Sequence, residues 1–116
     1  MEDRLYELHA SMCRIFTSAK RLEILNILRD KELSVGQIAR LIRIRQANLS
    51  QHLNILREKG IVRTRRAGVS IYYSLVNPKI IKAFDIIRQI LLERLSANER
   101  LAQIAGRNKS SAHPDS

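Results

Sequence analysis

The sequence predicts a mainly α-helical domain with one β-hairpin, in the order α-α-α-α-β-β-α. Two short helical patterns follow one another between residues 34 and 59, and two β-prone runs come directly after them. Longer helical patterns flank this middle part on both sides. Because two short helices followed by a hairpin form a winged helix-turn-helix, the sequence predicts that fold.

Two amphipathic helices are predicted before residue 30. Apolar residues recur at helical spacing, the pattern breaks near Thr17 and Ser18, and it then resumes. Thr17 or Ser18 is the predicted N-cap of the second helix, because a hydroxyl can accept from the free N–H groups of a first turn. We expect both helices to bury one face in a single core. The two stripes comprise Leu5, Leu8, Met12, Ile15 and Phe16, and then Ala19, Leu22, Leu25 and Leu28.

The helix-turn-helix is predicted between residues 34 and 60. Ser34 followed by Gln37 is a capping-box pattern, so a short helix is expected to begin there. After a break near Ile44, leucines at i, i+4 and i+7 form a stripe on a second helix, which Gly60 is expected to terminate. The side chains away from this stripe are mostly amides and hydroxyls, which can hydrogen-bond base edges. The stripe is Leu49, Leu53 and Leu56. The predicted DNA-binding residues of this helix are Gln46, Ala47, Asn48, Ser50 and Gln51, of which Gln46, Ser50 and Gln51 are expected to contact bases.

A β-hairpin is predicted directly after these helices. The runs 61–66 and 69–75 are β-prone, and Ala67-Gly68 joins them. Three arginines on the first strand and at the turn can contact phosphates or enter the minor groove. The alternative is an arginine-rich strand that faces solvent, but the preceding helix pair favours a DNA-binding wing. The arginines are Arg63, Arg65 and Arg66.

A long last helix is predicted from residue 77 onward. Asn77 is its expected N-cap and Pro78 its first residue. Apolar residues between Ile80 and Leu95 cover more than one face, so one face is left over after another packs on the same chain. A leftover apolar face predicts a partner subunit, and the alternative is a central core helix. Residues 96–104 either prolong this helix or form a short one of their own.

Three segments together resemble the ArsR family of dimeric winged-helix repressors. They are ELSVGQIA, NLSQHLNILREKGIVRTRRAG and IYYSL, and the similarity spans about residues 8–95. The resemblance implies a homodimer that pairs its first and last helices across a two-fold axis and binds a palindromic operator on double-stranded DNA. It also implies that His52 packs or contacts a phosphate. The expected dimer interface comprises Leu5, Leu8, Met12, Ile80, Phe84, Ile87 and Leu91.

The same resemblance implies that the usual metal sites of the family are absent. Arsenic-, cadmium- and lead-sensing relatives carry a cysteine pair where this chain has Ser34 and Gly36, which supply no thiolate. Zinc- and nickel-sensing relatives place Asp and His near the start of the last helix, where this chain has Asp85 and Ile87. We therefore expect neither site, and no cofactor.

Cys13 is the single cysteine, and His9 lies one helical turn before it. The preferred interpretation is packing, with Cys13 as a small, mostly buried residue and His9 on the surface. Two alternatives are a redox sensor, which joins its symmetry mate or an external thiol, and a His2Cys2 metal site shared by two subunits.

Composition limits the class of protein. The 116 residues fit one domain over 1–105 with a polar, disordered tail over 106–116. The net charge of +10 favours a polyanionic partner. An RNA-binding protein would share that charge, but three tyrosines, two phenylalanines and no tryptophan make a poor base-stacking platform. No apolar run approaches a membrane span and no signal peptide is evident, so we expect a cytoplasmic protein without a membrane partner.

The expected function is therefore sequence-specific DNA binding by a transcriptional regulator, most simply a dimeric repressor. The runner-up is an architectural chromatin or nucleic-acid-coating protein, which would show little sequence preference. No enzymatic activity is expected, because no Ser, Cys or carboxylate accompanies His52 at a fixed spacing.

Overall fold

The computed structural model describes residues 1–106, so the predicted tail lies outside the described residues apart from Gly106. The chain divides into two compact units, Met1–Ile81 and the remainder from Lys82. The helices and strands follow the predicted order, with one additional short strand before the third helix. Their bounds are α1 Glu2–Cys13, a 3-10 turn Arg14–Thr17, α2 Ala19–Ile27, β1 Leu33–Ser34, α3 Val35–Ile42, α4 Gln46–Glu58, β2 Val62–Ala67, β3 Ser70–Leu75 and α5 Lys79–Gly106.

The first unit has the winged helix-turn-helix fold that the sequence predicts. Its core is entirely apolar, and helices α2 to α4, the strands and the start of α5 all contribute to it. The leucine stripe of α4 is completely enclosed, as its spacing predicts. Each such leucine or isoleucine stabilises the fold by about 1.5–3 kcal/mol through burial. The most buried side chains are Ile15, Ile24, Leu25, Leu28, Ile38, Leu49, Leu53 and Leu56.

Local side-chain caps fix where α2, α3 and α5 begin. The Ser34 hydroxyl accepts from the Gln37 N–H at 3.2 Å, and the Gln37 amide oxygen accepts from the Ser34 N–H at 2.9 Å, which confirms the capping box. Ser18 rather than Thr17 caps α2, since the Ser18 hydroxyl accepts from Arg21 N–H. Asn77 accepts from the N–H of Lys79 at 3.0 Å, as expected at the start of α5.

The three strands form one antiparallel sheet in the order β1-β3-β2. Ala67 pairs with Ser70, so the hairpin turn is Gly68-Val69, one residue later than the predicted Ala67-Gly68. Gly68 has φ +63°, which suits the first position of a two-residue hairpin turn and which other residues rarely adopt. Strand β1 was not predicted, because two residues carry no periodicity.

Helix α1 differs from its prediction. We expected its apolar stripe to enter the core, but α1 has no buried residue, and the core contacts come from Ile15 and Phe16 in the 3-10 turn that follows. The three residues of the stripe that lie on α1 are therefore exposed in the single chain: Leu5, Leu8 and Met12.

Helix α5 runs without interruption to Gly106, so residues 96–104 prolong it. Ile81 is buried in the core of the first unit, and Ile80 packs partly against that core. The expected role of Ile80 in a subunit interface stays a prediction for the part of its side chain that remains exposed. Farther along, Ile87 and Leu91 are more than half exposed. Among the described residues, no helix combines the length and apolarity needed to cross a bilayer.

Candidate nucleic-acid interface

Helix α4 presents a continuous polar face on the side away from its buried leucine stripe. The five α4 residues expected to bind DNA are all exposed, together with Asn54, and all of these except Ala47 carry an amide or a hydroxyl group. Their amide and hydroxyl groups donate and accept hydrogen bonds without a net charge, as base recognition in the major groove requires. These exposed residues are Gln46, Ala47, Asn48, Ser50 and Gln51.

The N-terminus of α4 lacks a side-chain cap. Arg45 occupies the N-cap position without a capping hydrogen bond, and no acidic residue lies in the first turn. The first helical bond joins Leu49 N–H to the Arg45 carbonyl at 2.9 Å, so the three N–H groups before Leu49 have no partner within the helix. Free N–H groups and the positive end of the helix dipole together favour an anion such as a phosphate.

Arginines replace the usual capping residues at this helix end. Arg43 and Arg45 are both exposed and lie in the turn between α3 and α4. Arg43 has φ +56° and ψ +59°, a left-handed conformation that costs a residue with a side chain about 1–2 kcal/mol. Lys20 steadies the turn by donating to the Ile42 carbonyl at 2.9 Å. A role for these arginines was not predicted from the sequence, although Arg45 is a cation at a position where Ser or Asp usually caps a helix, which is a detectable signal.

The three arginines of the hairpin differ in their surroundings. Arg63 donates to the Val76 carbonyl at 3.1 Å and Arg65 is held in an ion pair, whereas Arg66 has no such partner in the described part of the chain. Val69, at the tip, is fully exposed. Of the predicted wing cations, Arg65 is therefore paired with an acid, whereas Arg63 and Arg66 have no ion pair in the described part of the chain and keep their charge for an anion.

Arg65 is anchored within the sheet. Its guanidinium donates to both carboxylate oxygens of Glu32, at 2.9 and 2.8 Å, and lies 5.1 Å from the centre of the Tyr72 ring. The hydrogen bonds and charge of Arg65 lower the pKa of Glu32, so the pair is fully ionised at neutral pH. Arg65 was expected to contact phosphates or the minor groove, but in the free protein this side chain links β2 to Glu32, the residue before β1.

His52 is half-buried at the edge of the polar face of α4. Its Nδ1 lies 3.3 Å from Nη1 of Arg21, which is on α2. Burial lowers the pKa of His52, and the nearby charge of Arg21 lowers it further. His52 is consequently a neutral side chain at physiological pH.

Cys13 is exposed in the single chain, and so is His9. Cys13 is therefore not buried within its own chain, contrary to the packing interpretation, because the last turn of α1 does not reach the core. Within the described residues, no cluster of three or more His, Cys, Asp or Glu side chains has a geometry that could hold a metal ion.

Comparisons with known proteins identify the family. The model of the bacterial regulatory proteins of the arsR family matches residues 18–64, from the N-cap of α2 into β2. The HTH-type transcriptional regulator Rv0081 of Mycobacterium tuberculosis is 33% identical over 93 residues, which are 79% of this chain and 82% of that protein. The chain belongs to the ArsR family. It is a DNA-binding transcriptional regulator with the winged-helix fold of that family.

Solved structures agree with this assignment. The crystal structure of Rv0081 superposes with a TM-score of 0.74, covering 81% of this chain and 95% of that chain. The transcriptional repressor BigR from Xylella fastidiosa has a TM-score of 0.68 at 37% identity, with 78% of this chain and 91% of that chain covered. The transcriptional activator HlyU of Vibrio cholerae is 32% identical over 79 residues, 68% of this chain and 73% of that protein. The ArsR-family relatives thus include both repressors and activators.

Proposed function

We propose that this ArsR-family regulator binds an inverted-repeat operator as a homodimer and represses transcription there. The polar face of α4 reads base edges, while the arginine-flanked N-terminus of α4 and the wing hold the DNA backbone. The observation that carries this proposal is the position of uncharged hydrogen-bonding side chains directly beside an uncapped, cationic helix end. Base contacts specify a site and phosphate contacts position the protein on it, so one helix supplies both needs.

Charge supports the choice of DNA as the partner. The net charge is +10 per chain, and a homodimer carries twice that value. Each phosphate that a cation neutralises releases counterions, so binding is expected to weaken steeply as salt rises. The free cations Arg43, Arg45 and Arg66 lie on the helix-turn-helix and the wing, which are the elements proposed to contact the backbone.

Exposed apolar surface supports the homodimer. Leu5, Leu8 and Met12 form an uncovered stripe on α1, and Ile87 and Leu91 are similarly uncovered on α5. A soluble single chain rarely leaves such surfaces in water, and a symmetric partner covers the same patch on both subunits. Two-fold symmetry in the protein in turn predicts two-fold symmetry in the operator. Repression is the regulatory activity proposed, because the relative BigR, which is 37% identical to this chain, is described as a transcriptional repressor.

The test is selection of binding sites from a pool of randomised duplexes. The proposal predicts that the wild-type protein enriches an inverted repeat whose half-sites are separated by about one helical turn, roughly 10 base pairs. Placing the selected sequence over a promoter should then lower transcription when the protein is expressed. An architectural protein would give no enriched motif, and an activator would raise transcription from that promoter.

A further inference from the structure

We propose that Arg21 is a positioning residue for DNA recognition: it holds His52 as a neutral imidazole whose proton is on Nε2, so that His52 offers DNA a hydrogen-bond donor. The inference rests on the proposed DNA contact of α4 and adds to it a role for a residue of α2. It also assigns His52 a specific chemistry, that of an uncharged donor. The alternatives are a cationic phosphate ligand and a packing residue.

The Arg21 side chain is fixed by several contacts. Its Nε donates to the Ile15 carbonyl at 2.9 Å, and Nη2 donates to the Arg14 carbonyl at 3.4 Å. The remaining contact, from Nη1, reaches Nδ1 of His52 at 3.3 Å, across 31 residues of sequence. Because the guanidinium is planar and rigid, two bonds to the 3-10 turn determine where the third donor points.

The partner determines the tautomer of His52. A guanidinium has donors only and stays protonated at any physiological pH, so Nδ1 must provide the lone pair in this contact. A neutral imidazole with a lone pair on Nδ1 carries its proton on Nε2. Protonating Nδ1 would replace the hydrogen bond with two cations in contact. Burial and the Arg21 charge both lower the pKa of His52, in agreement with the neutral form.

The Nε2 donor is available to a ligand. Within residues 1–101, whose side chains the structure describes, the His52 ring makes one hydrogen bond, which is the contact with Arg21. His52 lies one helical turn after the exposed Asn48, and no side-chain nitrogen in the described residues is both buried and without a hydrogen-bond partner, so Nε2 is accessible to solvent. A neutral N–H can donate to a phosphate oxygen, to guanine O6 or N7, or to thymine O4. An uncharged donor releases no counterion, so its contribution should not change with salt.

Two substitutions test the roles of the two ring nitrogens of His52 separately. In His52→Asn, the amide oxygen replaces Nδ1 and keeps the bond from Arg21, but the outer donor is lost. In His52→Gln, the longer side chain carries an NH2 group near the Nε2 position. We expect His52→Asn to bind the selected operator about tenfold more weakly, and His52→Gln to bind within about threefold of wild type. The slope of log affinity against log salt concentration should be unchanged in both variants, because neither substitution removes a charge.

A spectroscopic measurement tests the positioning role directly. Nitrogen-15 chemical shifts of the His52 ring in the free protein should show the Nε2–H tautomer across pH 6 to 8, and Arg21→Met should give a mixture of tautomers with the pKa of His52 raised toward its ordinary value. Thermal unfolding of each variant shows whether the fold is retained. Retained operator affinity in folded His52→Asn, or a protonated His52 at pH 7 in wild type, overturns the inference. Failure of wild type to prefer any duplex overturns the proposed function instead.

Discussion

At the scale of single residues, neighbouring groups decide what a charged side chain can do. Arg63, Arg65 and Arg66 are alike in sequence, but Arg65 is occupied by Glu32 and Tyr72 while Arg66 is open to solvent. The pairing could not be predicted from the sequence, because 33 residues separate Arg65 from Glu32 and only the β1-β3-β2 order brings them together. The caps at Ser34 and Asn77 could be predicted, since both partners lie within three residues.

The Glu32–Arg65 pair predicts a pH-dependent contribution to stability. The pKa of Glu32 is lowered in the folded protein, so its contribution is present at neutral pH and is lost as pH falls through the lowered pKa. Glu32→Gln should therefore lower the melting temperature at pH 7 and have little effect in acid. Glu58→Gln is the matched control, because it removes an exposed carboxylate outside this pair. Equal effects of the two substitutions at pH 7 would show that net charge, not the pair, sets the stability.

Cys13 and the missing metal ligands give a second prediction at this scale. With Ser34 and Gly36 in place of thiolates, arsenite and cadmium should not release the operator at stoichiometric concentrations, and neither should zinc. Any release by an oxidant should require Cys13, which is exposed. DNA binding should be measured with each agent for wild type and Cys13→Ser. Metal-induced release that persists in Cys13→Ser would contradict this prediction and reveal a metal site with oxygen or nitrogen ligands.

At the scale of elements, we propose that α4 contacts the bases and the wing contacts the DNA backbone. Gln51→Ala should cost about 1–3 kcal/mol on the selected operator and little on random DNA, because it removes a base contact. Arg66→Ala should weaken binding to both DNAs and reduce the slope of log affinity against log salt concentration by about 0.9 per subunit, or about 1.8 for the dimer, because it removes one phosphate contact from each subunit. Titrations on both duplexes at several salt concentrations measure these effects. The same pattern for both variants would contradict the division of roles.

Most elements could be predicted because their signals are local. The capping box, the leucine stripe of α4 and the glycine of the hairpin each lie within a short window, and the structure confirms them. The hairpin turn lies one residue later than predicted, because either neighbour of Gly68 can complete a two-residue loop. The stripe on α1 was misassigned because periodicity shows that a helix has an apolar face, but not whether its own core or a partner covers that face.

At the scale of the whole molecule, the proposed homodimer would explain why α1 and α5 leave apolar side chains uncovered. Ile87→Asp should give monomers or aggregates at micromolar concentration, because it places a charge in the proposed interface. Asn98→Asp is the control, since it adds the same charge at an exposed polar position of the same helix. Sedimentation should show a dimer for wild type and for Asn98→Asp. A well-folded wild-type monomer would rule out the dimer.

The most direct test examines base recognition by α4 and two-fold symmetry of the protein in one experiment. Affinity should be measured for the selected inverted repeat, for the same repeat with about five base pairs inserted at its centre, and for a scrambled duplex. The insertion rotates one half-site by about half a turn, so a dimer with two fixed α4 helices can no longer reach both. We expect the insertion to lower the affinity nearly to that for the scrambled duplex, and one dimer to bind each intact repeat. Equal affinity for all three duplexes would contradict it.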